Sequence, residues 1–141
     1  MEPAQQLLAQ AARSAEGRKD VQMYATLAIT RVAALLMLGR QAAVVAATAE
    51  LERLEGRLES TGSVPLIVSM HACVAMAKLV CANELGASIA QAEISLLEMR
   101  RIRMPSQFHL FFSYAQIAHI FVEAFGREPN AANQQLAAEA E

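Results

Sequence analysis

The amino-acid sequence predicts an all-α fold: stacked antiparallel helical hairpins, about three of them, preceded by a short N-terminal helix. Three observations predict it. Hydrophobic residues fill 55% of the 141 positions while aromatics account for 5% and tryptophan is absent. A core of Ala, Leu, Val, Ile and Met suits closely packed helices better than strands. Apolar residues also recur at helical spacing through long segments. Finally, Leu38-Gly39, Leu85-Gly86 and Phe125-Gly126 interrupt those segments at separations of 47 residues (Gly39 to Gly86) and 40 residues (Gly86 to Gly126), each the length of one two-helix unit. The chain reads as a single domain, 1–141, with hairpins roughly at 21–59, 64–103 and 107–141. A plain helical bundle is the competing arrangement.

Each element has its own justification. Residues 3–16 open with Pro3 at a first helical position and carry Leu7, Leu8, Ala11, Ala12 and Ala15 along one side. Asp20 is an N-cap for the helix 21–38, whose polar members Gln22, Thr26 and Thr30 recur every four residues as one stripe. Gly39 ends that helix by supplying a left-handed residue. From Gln41 to Glu59, Val44, Ala47, Leu51, Leu54 and Leu58 form a seam, and Glu50, Glu52, Arg53, Glu55, Arg57 and Glu59 face water. Gly56 lies inside this pattern and weakens its end. STGSV is the clearest loop; Ser63 then caps and Pro65 starts an almost wholly apolar helix to about Glu84, ended by Gly86. Residues 88–102 follow as an amphipathic helix closing on Arg100, Arg101 and Arg103. After Met104-Pro105-Ser106 comes the helix 107–125, rich in Phe108, Phe111, Phe112, Tyr114, Phe121 and Phe125, and ended by Gly126. A weaker last helix restarts near Asn130, with Leu136 its sole large apolar residue. Ala25, Ala28, Ala72, Ala75, Ala115 and Ala118 are placed to let adjacent first helices approach closely.

The helix-ending Leu-Gly and Phe-Gly pairs stand with alanine-rich starts of the second helices: Ala42-Ala43, Ala90 with Ala92, Ala131-Ala132. Together they resemble the tetratricopeptide-repeat superfamily in a degenerate form. The stretch LERLEGRLESTGSVPLIVSMHACVAMAKLV is similar to the loops and hairpins in helical-repeat sensor regions of large bacterial transcriptional activators. The resemblance covers residues 21–141 and implies a concave surface, lined by first helices, that binds a peptide, a helix or another subunit.

Bulk properties narrow the function classes. A net charge of −2 offers no basic excess to neutralise phosphates, so nucleic acid is not an expected partner. The segments 64–82 and 108–125 are oily, yet carry His71 and Lys78 in one, and two histidines, Gln116 and Glu123 in the other. Polar groups of that kind are costly in lipid, so both read as buried helices and no membrane is required. The N-terminus lacks the basic start and apolar core of a secretory signal. Cys73 and Cys81, eight residues apart on one helix, are too far apart for a disulfide between them. Buried free thiols suggest a reducing compartment, and the cytoplasm is the expected location.

No catalytic pattern emerges. His71-x-Cys73 points in two directions, and His119 with Glu123 shares a face but needs ligands from a second helix. No phosphate loop, dinucleotide fingerprint or nucleophile elbow is present, and Ser60, Ser63, Ser69, Ser88, Ser95, Ser106 and Ser113 show no paired base. No cofactor or metal is expected. Met23, Met37, Met70, Met76, Met99 and Met104 lie in or beside apolar faces, where core filling explains most and a Met-lined adaptable groove is the alternative.

The expected function is therefore a non-enzymatic protein-interaction module. His109, Ser113, Gln116 and Glu123 form one stripe on the 107–125 helix, and His71 and Lys78 share a face on the 64–84 helix. With Gln22, Thr26 and Thr30 they are expected to line one concave wall that hydrogen-bonds a protein or peptide partner. Two alternatives accompany this: homo-oligomerisation sealed by the aromatic 107–125 helix, whose thin alanine-rich follower covers little of it, and a helical-bundle small-molecule sensor or metal-binding protein.

Overall fold

A computed structural model describes residues 3–17, 20–102 and 108–127, and among these every regular element is helical. The helices are α1 (Pro3–Gly17), α2 (Val21–Met37), α3 (Gln41–Thr61), α4 (Val64–Ala77), α5 (Leu85–Met99) and α6 (Phe108–Arg127), and α4 continues through a π-helical turn, Lys78–Ala82. The all-α fold is as the sequence predicts. The expected last helix near Asn130, with Ala131, Ala132 and Leu136, lies outside the described residues, as do Arg103, Met104, Pro105 and Ser106.

Local chemistry sets most of the boundaries. Asp20 caps α2, its Oδ1 accepting from Met23 N–H at 3.0 Å. Gly39 turns the corner into α3 with φ +64°, and Gly62 turns the next with φ +66°. Pro65 stands in the first turn of α4. Ser63 holds the cap position without a side-chain cap bond; instead its own N–H donates to Thr61 Oγ1 at 3.3 Å.

Two expected glycine corners are corrected. The left-handed residue after α4 is Asn83, with φ 54°, and Glu84 N–H reaches back to Lys78 O at 3.1 Å. Asparagine tolerates that conformation because its short side chain bonds locally. Gly86 therefore lies within the first turn of α5, and Gly126 lies within α6. Nor does Gly56 end α3 early, since the helix runs on to Thr61.

Cross-helix bonds fix the directions. Rising numbers on α5 meet falling numbers on α4: Ser88 Oγ donates to Ala75 O, Gln91 meets His71, and Ser95 Oγ donates to Val68 O. The α4–α5 hairpin is antiparallel, as are its α2–α3 counterpart's ends around the Gly39 corner. Between α4 and α6 the separation stays constant: 44 for Ser69 and Ser113, 43 for Cys73 and Gln116, 44 for Asn83 and Arg127. A constant separation means parallel helices in one register. The first helices α2, α4 and α6 thus form one layer, with α3 and α5 against it.

The central helix α4 supplies both cores. Ile67, Met70, Cys73, Val74 and Ala77 join Val44, Ala47, Leu51, Leu54 and Leu58 of α3 and Ala25, Ala28, Val32 and Leu35 of α2. On its other side Val68, Ala72, Ala75 and Leu79 join Ala92 and Met99 of α5 and Leu110, Ile117, Ile120 and Phe121 of α6. A helix buried all round must be apolar all round, which explains the oily 64–82 stretch. By length and composition Val64–Ala82 is able to cross a membrane, but 61% of that window is buried inside the fold.

Candidate partner-binding groove

The parallel layer of first helices encloses a groove of about 300 Å³ lined by Leu36, Met37, Met76, Val80, Phe112, Ala115, Gln116 and His119. Met37 is 80% exposed, Val80 42% and Phe112 40%, so three large apolar side chains from three different helices meet water here. Each is placed by a local feature. Met37 is the last residue of α2, immediately before the Leu38-Gly39 corner. Val80 lies in the π turn, whose extra residue per turn shifts it out of the α-helical phase of the buried stripe. Phe112 is one residue from Ser113, which packs against α4, so it stands to the side of that contact. At the floor, Gln116 is buried and its Oε1 accepts from the Cys73 thiol at 3.8 Å. Burial pushes the Cys73 thiol up to about 12, against a smaller lowering by the Gln116 hydrogen bond. That thiol is neutral and structural. Burial also raises Cys81.

The expected polar wall is not what lines this groove. Of its members Gln116 alone does, among the described residues. His71 and Lys78 point to the second-helix layer. Lys78 Nζ pairs with Glu52 Oε1 of α3 at 3.2 Å. His71 is buried, with Nδ1 2.7 Å from Gln91 Oε1 of α5 and Nε2 3.7 Å from Glu55 Oε1 of α3. It lines a separate cleft with Glu55, Glu59, Glu98 and Arg101. Ser113 is buried between α4 and α6, donating to Ser69 Oγ at 3.1 Å. Glu123 pairs with Arg127, whose Nη1 donates to Asn83 Oδ1 at 2.6 Å. The backbone of His109 is in α6, while its side chain lies outside the described residues.

Gln22, Thr26 and Thr30 are exposed on α2, and Thr30 shares a helix face with Met37 one heptad later. The two hydroxyls are already engaged, Thr26 donating to Gln22 O and Thr30 to Thr26 O, each at 2.8 Å. The physical reason for the mismatch is general. A polar residue on an inward-facing helix finds a partner in the neighbouring helix, because leaving it unpaired is costly. The groove is lined mainly by the apolar side chains of Leu36, Met37, Met76, Val80, Phe112 and Ala115.

Met37 and Met76 line the groove, Met70 and Met99 are core, and Met23 is exposed elsewhere on α2. Among the described residues no group of three or more His, Cys, Asp or Glu side chains is arranged to hold a metal ion. Two thioethers, an aromatic ring, one amide and one imidazole stand among the groove's lining side chains. No protein-family model, curated protein or solved structure matches the chain.

Proposed function

We propose that the protein is a non-enzymatic interaction module whose first-helix groove receives an amphipathic helix of a partner protein. The observation that carries this is the convergence of exposed Met37, Val80 and Phe112 on one groove between parallel helices. Covering a side chain of this size contributes about 1.5–3 kcal/mol when burial is complete, so three in one groove form a binding surface. A helix with apolar residues at i, i+3 or i+4 and i+7 matches such a groove, and methionines adapt to its shape. Gln116 and His119 offer polar contacts beside the apolar ones. The tetratricopeptide resemblance supports the same surface, since it implies binding on the side lined by first helices. Free Cys73 and Cys81 favour a reducing, cytoplasmic setting for this role.

The test is parallel affinity capture from the native cell extract on wild-type protein and on Val80→Glu and Met37→Glu variants, with partners quantified by mass spectrometry. Circular dichroism checks that the variants keep their helix content. The proposal expects partners held by the wild type to fall about tenfold on both variants, as a loss of about 1.4 kcal/mol implies. Equal recovery on folded variants would remove the groove from the interaction.

A further inference from the structure

The outer face of α6 carries a second pattern, which meets the groove at Ala115. Phe111 is 59% exposed, Val122 58% and Phe125 39%; between them Ala115 is exposed and Ala118 half-buried. These five positions advance by four, three, four and three residues, the spacing of a helix-pairing seam. The contact face of α6 is a different one, formed by Leu110, Ser113, Ile117, Ile120, Phe121 and Ala124. The sequence assigned Ala115 and Ala118 to close approach between neighbouring first helices, whereas the α4–α6 contact uses Ser69, Ser113, Cys73 and Gln116. Ala115 is exposed at the edge of the groove, and Ala118 is half-buried between the exposed Phe111, Val122 and Phe125.

The seam is self-complementary when reversed. Phe111 and Phe125 each stand seven residues from Ala118, while Ala115 lies three before it and Val122 four after. An identical helix laid antiparallel across it, with the two-fold axis at Ala118, sets Phe111 against the other copy's Phe125. It brings Ala115 beside Val122, offset by one residue or about 1.5 Å of rise, and sets Ala118 against Ala118 where the helices come closest. None of the five residues is charged, so no charge is desolvated in the contact. We infer that α6 is the interface of a two-fold homodimer, crossing its counterpart in a second copy antiparallel about Ala118.

Size sets the strength. Phe111, Val122 and Phe125 together expose on the order of 300 Å² per copy, against about 800 Å² per partner in a standard stable interface. The dimer is accordingly one that dissociates on dilution.

Sedimentation equilibrium of the full chain over a wide concentration range tests this. The mass should rise from the monomer's 15.2 kDa towards twice that value. Ala118→Arg should hold it at the monomer, and Val122→Glu serves the same purpose should the first variant lose helix content. With Cys81→Ser removed as a competing thiol, Ala118→Cys should give a disulfide-linked dimer under mild oxidation, because the axis brings the two residues together. A wild-type chain that stays monomeric at every concentration overturns the inference. So does a dimer indifferent to both Ala118→Arg and Val122→Glu. A monomeric full chain that dimerises when cut after Arg127 would instead assign the face to residues 128–141. Val80→Glu should leave the dimer's mass profile in place, which separates this interface from groove binding.

Discussion

Replacing Ser95 by leucine tests how closely α4 and α5 approach. Ser88 and Ser95 are both fully buried, and their hydroxyls donate to Ala75 O and Val68 O of α4, each at 2.8 Å. A serine reaches a neighbouring helix's backbone only when the two axes lie at the short end of helix packing distances. Ser95→Ala removes one hydrogen bond while Val68 O keeps its intrahelical donor, so the loss is about 1 kcal/mol. Ser95→Leu loses the same bond and forces extra carbon atoms into filled space, for a total of about 2–4 kcal/mol. In a chain of this size 1 kcal/mol moves the Tm by roughly 3–6 °C, so the leucine variant should melt at least 6 °C lower. Ser88 and Ser95 are about 10 Å apart along the helix, and the double alanine variant should cost about 2 kcal/mol by addition. Leu97→Ser is the control, because Leu97 is 61% exposed, and surface changes of this kind stay within about 0.5 kcal/mol. Urea titrations monitored by circular dichroism give the values. A tolerated Ser95→Leu together with a costly Leu97→Ser would mean that α5 is turned by half a revolution, and the packing described here would be refuted.

Other outcomes follow from single residues. Gly39→Ala should cost about 1 kcal/mol, because φ +64° disfavours a side chain. Gly56→Ala should stabilise by about 0.5–1 kcal/mol, since an added Cβ there meets nothing within 4 Å in mid-helix. Gly86→Ala should also stabilise slightly, and a loss as large as that at Gly39 would restore Gly86 as a corner; denaturant midpoints decide both. Asp20→Ala should cost about 1 kcal/mol by the same assay, through loss of the bond to Met23 N–H. The Cys73 thiol stays neutral in the fold up to about pH 12, whereas its ordinary value is 9.0. Its contribution is therefore complete below pH 9.0 and is lost as pH rises from there towards about 12. Stability should fall by up to about 1.4 kcal/mol per pH unit in that window, because the unfolded chain releases a proton the folded one retains. Cys73→Ala should flatten the slope above pH 9.0, and an unchanged slope there would show that the thiol is not the source.

Helix content and the buried seam were legible because both depend on local periodicity. Val44, Ala47, Leu51, Leu54 and Leu58 recur at near-heptad spacing and are all buried. The all-round apolar 64–82 stretch marked the central helix in the same way. Periodicity identifies which residues share a face but not which neighbour that face meets. Ser113, Gln116, His71 and Lys78 were placed on stripes by spacing, and their side chains meet Ser69, Cys73, Gln91 and Glu52, residues 20 to 44 positions away on other helices. The Asn83 corner was obscured because a glycine three residues later carries the stronger turn signal. The groove itself depends on Val80 leaving the helical phase through a π turn, which no apolar spacing encodes. Alanines at 115 and 118 were read as packing residues, whereas the structure leaves Ala115 exposed and Ala118 half-buried.

The groove exists only where the first helices run parallel in one register, and a disulfide measures that directly. Ser69 and Ser113 hydroxyls are 3.1 Å apart at a separation of 44 residues. In a chain carrying Cys73→Ala and Cys81→Ser, the pair Ser69→Cys and Ser113→Cys should close an intramolecular disulfide under mild oxidation, seen as a faster band on non-reducing electrophoresis and confirmed by peptide mapping. Formation of that bond, with no bond in a Ser69→Cys, Glu123→Cys control, is the outcome this arrangement requires. Failure of the first pair with success of the second would mean that α6 runs against α4, and the groove and its proposed partner would go with it.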